Sequence, residues 1–212
     1  MSDLIEQLTA RLSGPLPGPS AQRTMAPELS FGRYAGPARY DARQAAVAIS
    51  LYQINGAWHL PLVVRPESLK HHAGQIGLPG GIIDPGETSE QAALRELEEE
   101  LGIPRSAATS LGQLSSLYVF GTNFLIAPWI VALSSPVSFR PSAAEVQEVL
   151  QIPLVHLLDP KSRGQHIQRR GALQLIAPHF RWQGHNIWGA TAMILAEFVA
   201  VMHDLPASLT TA

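Results

Sequence analysis

The stretch "GGIIDPGETSEQAALRELEEELGI", Gly80 to Ile103, carries six glutamates in an otherwise small and aliphatic setting. Four of them, Glu96, Glu98, Glu99 and Glu100, are crowded near its end. Thr88 or Ser89 suits a helix N-cap, and Glu87 and Glu90 sit near the positive end of the helix dipole. Gly102 is placed to stop the helix, and Pro104 bars its continuation. On such a helix Ala93, Leu94, Leu97 and Leu101 form one apolar stripe. Glu96, Glu99 and Glu100 stand at i, i+3 and i+4, so their carboxylates converge on one face. A solvated acidic face tolerates the resulting repulsion. The glycine- and proline-punctuated loop before the helix, and Arg95 beside the carboxylates, suggest more. Three hard oxygen ligands at this spacing suit Mg²⁺ or Mn²⁺, with phosphates and water completing the octahedron. A bound cation turns the repulsion into attraction.

The surrounding elements read as a mixed fold. Leu4 to Leu12 places apolar residues at helical spacing, and "SGPLPGPS" ends that helix in a linker. Ala45 to Gln53 and Trp58 to Arg65 are β-rich runs joined across Asn55-Gly56, a hairpin signal. Pro61 predicts an edge position or a bulge for the second run. "HHAGQIGLPGG" is a glycine-rich loop feeding the acidic helix. Ser115 to Phe120 and Phe124 to Leu133 read as strands, and "EVQEVLQIPLVHLL" as a strand turning helical at Pro153. Gln174 to Phe180 and "RWQG" suggest another hairpin. Ile187 to Met202 is apolar nearly all round, with Asn186 as candidate N-cap, which predicts a buried helix or one packed on a partner. Hairpins interspersed with helices indicate an α+β fold. The division expected is an N-terminal helix and Pro/Gly-rich linker over 1–40 and one larger domain over 41–212.

Composition narrows the function. At 212 residues and a net charge of −2, the chain is long enough for a sizeable core and not basic enough for a nucleic-acid scaffold. No cysteine is present, which excludes disulfides, thiolate metal sites and a cysteine nucleophile. No secretory signal pattern is evident, and the most apolar stretch, 16 residues interrupted by Glu197, is short for a bilayer span. The expectation is a cytoplasmic globular protein with no nucleic-acid or membrane partner.

The acidic segment also resembles a known family. From Gly81 the chain reads glycine, five residues, Glu87, seven residues, Arg95-Glu96-Leu97, one residue, Glu99-Glu100, one residue, Gly102-Ile103. This matches the box of the Nudix hydrolases at every fixed position across 23 residues. The resemblance implies an α/β/α sandwich around a mixed sheet, and metal-dependent hydrolysis of nucleoside diphosphates linked to another moiety. It implies Glu96, Glu99 and Glu100 as metal ligands, with the carbonyl of Gly80 beside them. Gly81, Glu87, Arg95 and Gly102 match box positions with structural duties, Arg95 orienting a glutamate. Glu98 falls at a variable position and reads as a surface charge.

Upstream, "VVRPESLKHHAGQIGLPGG" is similar to the signature of Nudix enzymes that cleave coenzyme A. Arg65, Lys70, Gly74 and Pro79-Gly80-Gly81 fall at matching places. Pro66, Lys70, Leu78 and Val63 depart from the usual serine or alanine, arginine, phenylalanine and threonine. "EVLQIPLVHLLDP" and "IWGATAMIL" also resemble that subfamily's C-terminal half. The resemblance implies coenzyme A or a derivative as substrate, with Arg65, Lys70, Gly74, Gln75, Asn123 and Phe124 around it. His71 and His72 add positive potential near the same loop. For the proton of the attacking water, Glu96, Glu99 or a later carboxylate is available, and Glu145 is favoured over Glu148. Tyr118, 15 residues after Ile103, keeps a diadenosine polyphosphate substrate as the alternative, beside ADP-ribose. A nucleotide sensor without turnover is the alternative of another class, and the intact box argues against it. A homodimer is a further expectation, from family habit and the apolar C-terminal helix.

Overall fold

The computed structural model describes residues 3–28, 36–67, 74–170 and 173–206. Lys70, His71 and His72 lie outside them. Strand β1 (Arg43–Ile54) turns through Asn55 and Gly56, both at positive φ (49° and 85°), into β2 (Ala57–Val64). Asparagine and glycine tolerate that left-handed backbone, so the hairpin is set locally. β1 also pairs in parallel with β7 (Phe124–Leu133) along Arg43 to Leu51. Its opposite edge is shared, first by β2 at Tyr52–Ile54 and then by β4 (Gly80–Ile82) at Ala45–Val47. Past this point β2 separates from β1 and takes β3 (Ile76–Gly77) as its neighbour. Its other edge pairs with β8 (Glu148–Pro153) from His59 to Val64. Pro61 is therefore not on an edge strand. It stands between the residues paired to β1 and those paired to β3, where no ladder bond is asked of its missing N–H. β5 (Ala108–Gln113) closes the far side of the sheet with a register shift between Ser110 and Gly112, and β6 (Leu117–Val119) pairs with the start of β7.

Helices cover both faces, as expected for an α/β/α sandwich. Helix α3 (Ser89–Leu101) lays Ala92, Ala93, Leu97 and Leu101 on one face, against Ala46, Ala48, Ala127 and Val131. Ala92 takes the buried place expected for Leu94, which is half-buried, because the stripe is rotated slightly toward the strands. The opposite face carries α1 (Asp3–Leu12), the short α2 (Pro19–Gln22) and α5 (Ala190–His203). Leu4, Ile5, Leu8 and Leu12 of α1 join Ile49, Leu51, Ile130 and most of α5 in one core. Each fully buried large apolar side chain contributes about 1.5–3 kcal/mol. The all-round apolarity of α5 is thus satisfied inside the protomer. Its N-cap is Gly189, not Asn186, which pairs with Arg181 in β11 (His185–Trp188). The strand persists because the Gln183-Gly184 turn, at φ 47° and 85°, folds it back on β10 (Leu173–Trp182). A short α4 (Leu154–Leu158) follows β8 at Pro153, as the sequence indicates. Among the described residues no helix is long and apolar enough to cross a membrane.

Two buried polar features stand apart from the main sheet. Glu197 of α5, fully buried, accepts hydrogen bonds from the Gly18 and Ser115 N–H groups at 3.0 and 3.2 Å and from Gln22 Nε2 at 2.8 Å. In the second sheet, β9 (Arg163–Arg170) pairs with β10, and His166 Nδ1 lies 2.9 Å from His179 Nδ1. One nitrogen must donate and the other accept, so a single proton serves the pair. Burial first, then His166 and Arg181, hold His179 below its ordinary 6.5. It folds neutral, whereas the unfolded chain takes up a proton near pH 6.5. The stability gained from the neutral His179 is present above that pH and lost as the pH falls through the lower folded value. Melting temperatures measured from pH 8 to 5 are expected to decline below about 6.5, and to decline less in His179→Gln.

Candidate active site

Helix α3 is held at both ends. Thr88 Oγ1 accepts from the Gln91 N–H at 3.2 Å, and Gln91 Oε1 accepts in return from the Thr88 N–H at 2.9 Å. Trp129 Nε1 of β7 donates to Ser89 Oγ at 3.1 Å, fixing the first turn to the sheet. At the other end Gly102 adopts φ 67° and donates to the Glu98 carbonyl. The Arg140 and Ser142 N–H groups then satisfy the carbonyls of Leu101 and Glu100, at 2.8 and 3.0 Å. The free polar groups of the helix terminus are answered by this loop, which leads directly to Glu145.

The glutamates divide by environment. Glu100 is 2% exposed; its Oε2 accepts from the Gly80 N–H at 3.3 Å and its Oε1 lies 3.8 Å from Arg65 Nη1. Burial, then the nearby Glu96, push its carboxyl up to about 8 against the pull of Arg65. Glu96, 13% exposed, lies over Gly81, where an added Cβ would run into the carboxylate. Its carboxyl is raised by burial, with Arg95 opposing. Glu99 is 54% exposed and 3.0 Å from Arg95 Nη1. Arg95 also holds Glu87 through two bonds of 3.0 Å and donates to the Ile82 carbonyl at 2.9 Å. It ties helix to loop, and it keeps Glu87 below the ordinary carboxylate range. Glu98 reaches outward to Arg105 at 3.5 Å.

Strand alternation explains why Gly80 belongs here. The Ala48 N–H donates to the Pro79 carbonyl and the Ile83 N–H to the Gln44 carbonyl, so these and the Ala46–Gly81 pair are the hydrogen-bonded pairs of the β1–β4 ladder. Gly80, between them, turns its N–H and carbonyl away from β1, and the N–H meets Glu100. An added Cβ on Gly80 would meet the Ala46 carbonyl and Val47.

Two repelling, largely buried carboxylates beside an outward carbonyl are a donor set of hard oxygens short of positive charge, and they fit a divalent cation. Glu96, Glu100 and the Gly80 carbonyl offer the closest grouping, with Glu99 at its outer rim. Among the described residues no three acidic or histidine side chains are already gathered around one point; one guanidinium nitrogen, Arg95 Nη1, bridges Glu96 at 2.9 Å and Glu99 at 3.0 Å.

The remaining candidates fall in three places. Arg65 directly follows β2 and faces Glu100; its Nε is buried without a partner among the described residues. Gly74, at φ 65°, and Gln75 form the turn opposite it, their backbones bonded to Arg65 at 3.1 and 3.0 Å. Glu145 is exposed, and its charge adds to the upward push on both Glu96 and Glu100. Glu148 points elsewhere, 3.9 Å from His185. Asn123 sits at φ 52°, its side chain spent on the Tyr118 hydroxyl and the Asp41 carbonyl, so it shapes a turn. Phe124 lies in that turn's shadow, under Arg43, a residue that sequence reasoning passed over. Two surface cavities, about 320 and 410 Å³, lie around the Leu133–Ser134 end of β7 and include none of these glutamates or Arg65. The carboxylate site lies at the cleft where β4 and the end of β2 part, Glu100 meeting both.

Comparison with known proteins agrees with this architecture. The NUDIX domain family matches residues 42–170. The uncharacterized Nudix hydrolase NudL of Photorhabdus laumondii is 39% identical over 139 residues, covering 64% of this chain and 73% of the relative. A mitochondrial coenzyme A diphosphatase, NUDT8 of Homo sapiens, is 34% identical over 164 residues, covering 74% of this chain and 69% of the relative. Among solved structures, a Nudix hydrolase from M. smegmatis, RenU, aligns with a TM-score of 0.51 at 21% identity, over 78% of this chain and 88% of that one. Family match, relatives and fold converge: the chain belongs to the Nudix hydrolases.

Proposed function

We propose that this enzyme hydrolyses the diphosphate of coenzyme A or its derivatives, using Mg²⁺ or Mn²⁺ held by Glu96, Glu99, Glu100 and the Gly80 carbonyl. The observation that carries the reading is Glu100 itself, a buried carboxylate placed between the Gly80 backbone and the Arg65 guanidinium. The NUDT8 name supports the substrate class. When bound, the cation polarises phosphoryl oxygens and makes the attacking water more acidic. Arg65 binds the diphosphate through the N–H groups not turned to Glu100, and it orients the scissile bond. Gly74 and Gln75 hold that arginine by its backbone. Glu145, exposed at the mouth of the cleft, takes the proton of the attacking water. The water oxygen bonds to one phosphorus and the bridging P–O bond breaks. Each product then keeps one of the two phosphorus atoms: adenosine 3′,5′-bisphosphate and 4′-phosphopantetheine, or its acyl form. Lys70 completes the set as a further cation for the substrate.

Turnover of coenzyme A, dephospho-coenzyme A, ADP-ribose and a diadenosine polyphosphate, each with Mg²⁺ and with Mn²⁺, tests the reading. Coenzyme A is expected to be cleaved with the highest kcat/KM. Preference for ADP-ribose or the dinucleotide removes the coenzyme A assignment. Tight binding with no turnover of any of them marks a sensor.

A further inference from the structure

From the β4 edge, where the Gly80 N–H meets Glu100, the sheet face opposite α3 runs toward the start of β1. On β1, Arg43, Ala45 and Val47 share that face, and the ladders place Gly80 beside Val47, Ile82 and Ile126 beside Ala45, and Phe124 beside Arg43. Four strand steps, about 13 Å, separate the Gly80 row from the Arg43 row. Between them Ile82 is half-exposed, an apolar shelf two residues from the metal loop. At the far end the Arg43 guanidinium lies 3.9 Å from the centre of the Phe124 ring. The Arg43 N–H donates to the Asn123 carbonyl at 2.9 Å, which fixes the root of the side chain. Its tip makes one long contact, 3.4 Å to the Thr122 carbonyl, and no ion pair among the described residues. The nearby Asp41 is answered by Arg39, both oxygens at 2.9 Å. An exposed guanidinium thus rests on the Phe124 ring with no ion pair among the described residues.

A guanidinium so placed suits a phosphate that is separate from the one being cleaved. Resting on the coenzyme A reading above, we propose that Arg43 is a specificity-determining residue that receives the 3′-phosphate of the nucleotide half. The diphosphate lies at Arg65 and the carboxylates, and the ribose crosses Ile82. The planar fork donates to the phosphate from one edge while its face stays on Phe124.

The test compares Arg43→Gln and Arg43→Lys with the unaltered enzyme on coenzyme A and dephospho-coenzyme A, which differ only in that phosphate. Arg43→Gln is expected to lose about 10- to 100-fold in kcat/KM for coenzyme A and to change little for dephospho-coenzyme A. Arg43→Lys, which keeps the charge without the fork, is expected to fall between. Calorimetric binding of adenosine 3′,5′-bisphosphate and of AMP repeats the comparison without turnover, and only the bisphosphate should weaken. Equal loss on both substrates, or on neither, overturns the role of Arg43 while leaving the diphosphatase reading intact. If the unaltered enzyme cleaves neither substrate, that reading falls, and the binding comparison alone decides for Arg43.

Discussion

Glu100→Gln is expected to cut turnover by about 10²- to 10³-fold without unfolding the protein. The carboxylate is buried between the Gly80 N–H, which donates to it, and the Arg65 guanidinium 3.8 Å away, and glutamine keeps its volume and one acceptor oxygen. What glutamine lacks is the negative charge that a cation and Arg65 both require. In metal-free buffer the melting temperature is expected to hold or rise, since burial already disfavours the charged form of Glu100. The combination of lost activity and undiminished stability separates a ligand from a structural carboxylate. Glu99→Gln is the contrast, because that side chain is mostly exposed and held by Arg95. Its loss should be smaller. Comparable turnover in Glu100→Gln and the unaltered enzyme would leave the carboxylate cluster without a catalytic role.

The largest stability effect is expected far from the cleft, at Glu197. Alanine there leaves the Gly18 and Ser115 N–H groups and the Gln22 amide buried without their acceptor. Such losses cost about 3–5 kcal/mol. For a chain of this size that corresponds to a melting temperature lower by about 6–20 °C. Glu197→Gln should be intermediate. Its oxygen can still serve both backbone groups, but its NH₂ then faces the NH₂ of Gln22. Turning the Gln22 amide to relieve that conflict forfeits its bond to the Ser115 carbonyl. Thermal unfolding of the two variants decides the matter, and a shift below about 2 °C for alanine would show that water replaces the carboxylate.

How much of this was legible in the sequence varied with how local the cause is. The cap, stop and apolar stripe of α3, and the Asn55-Gly56 hairpin, are set by residues adjacent in the chain, and they could be read directly. β5 was missed because "ATSLGQ" is an edge strand interrupted by a register shift, with no apolar alternation. β9 was missed for a related reason: "RGQHIQRR" is largely polar and borders only one neighbour. In the site, glutamate spacing indicated a shared face but not that Arg95 bridges the exposed Glu99 to the largely buried Glu96 while Glu100 turns to Gly80 and Arg65. That bridge depends on where the loop presents Glu87 and the Ile82 carbonyl, which fix the guanidinium. Arg43 carries no local signal. Its surroundings come from a parallel pairing with Phe124, a strand far along the chain.

The parting of β1 and β2 has a mechanical consequence. Beyond Tyr52 the two strands open like the arms of a pair of tongs, one arm carrying β4 and Gly80, the other ending at Arg65. Pro61, just past the hinge, cannot donate to a re-closing ladder, so the arms stay apart. Glu100 spans the opening with one oxygen on each arm. Whatever draws on that carboxylate is therefore felt at once by the loop that presents the Gly80 carbonyl and by the arginine that meets the diphosphate. Loading one jaw sets the other.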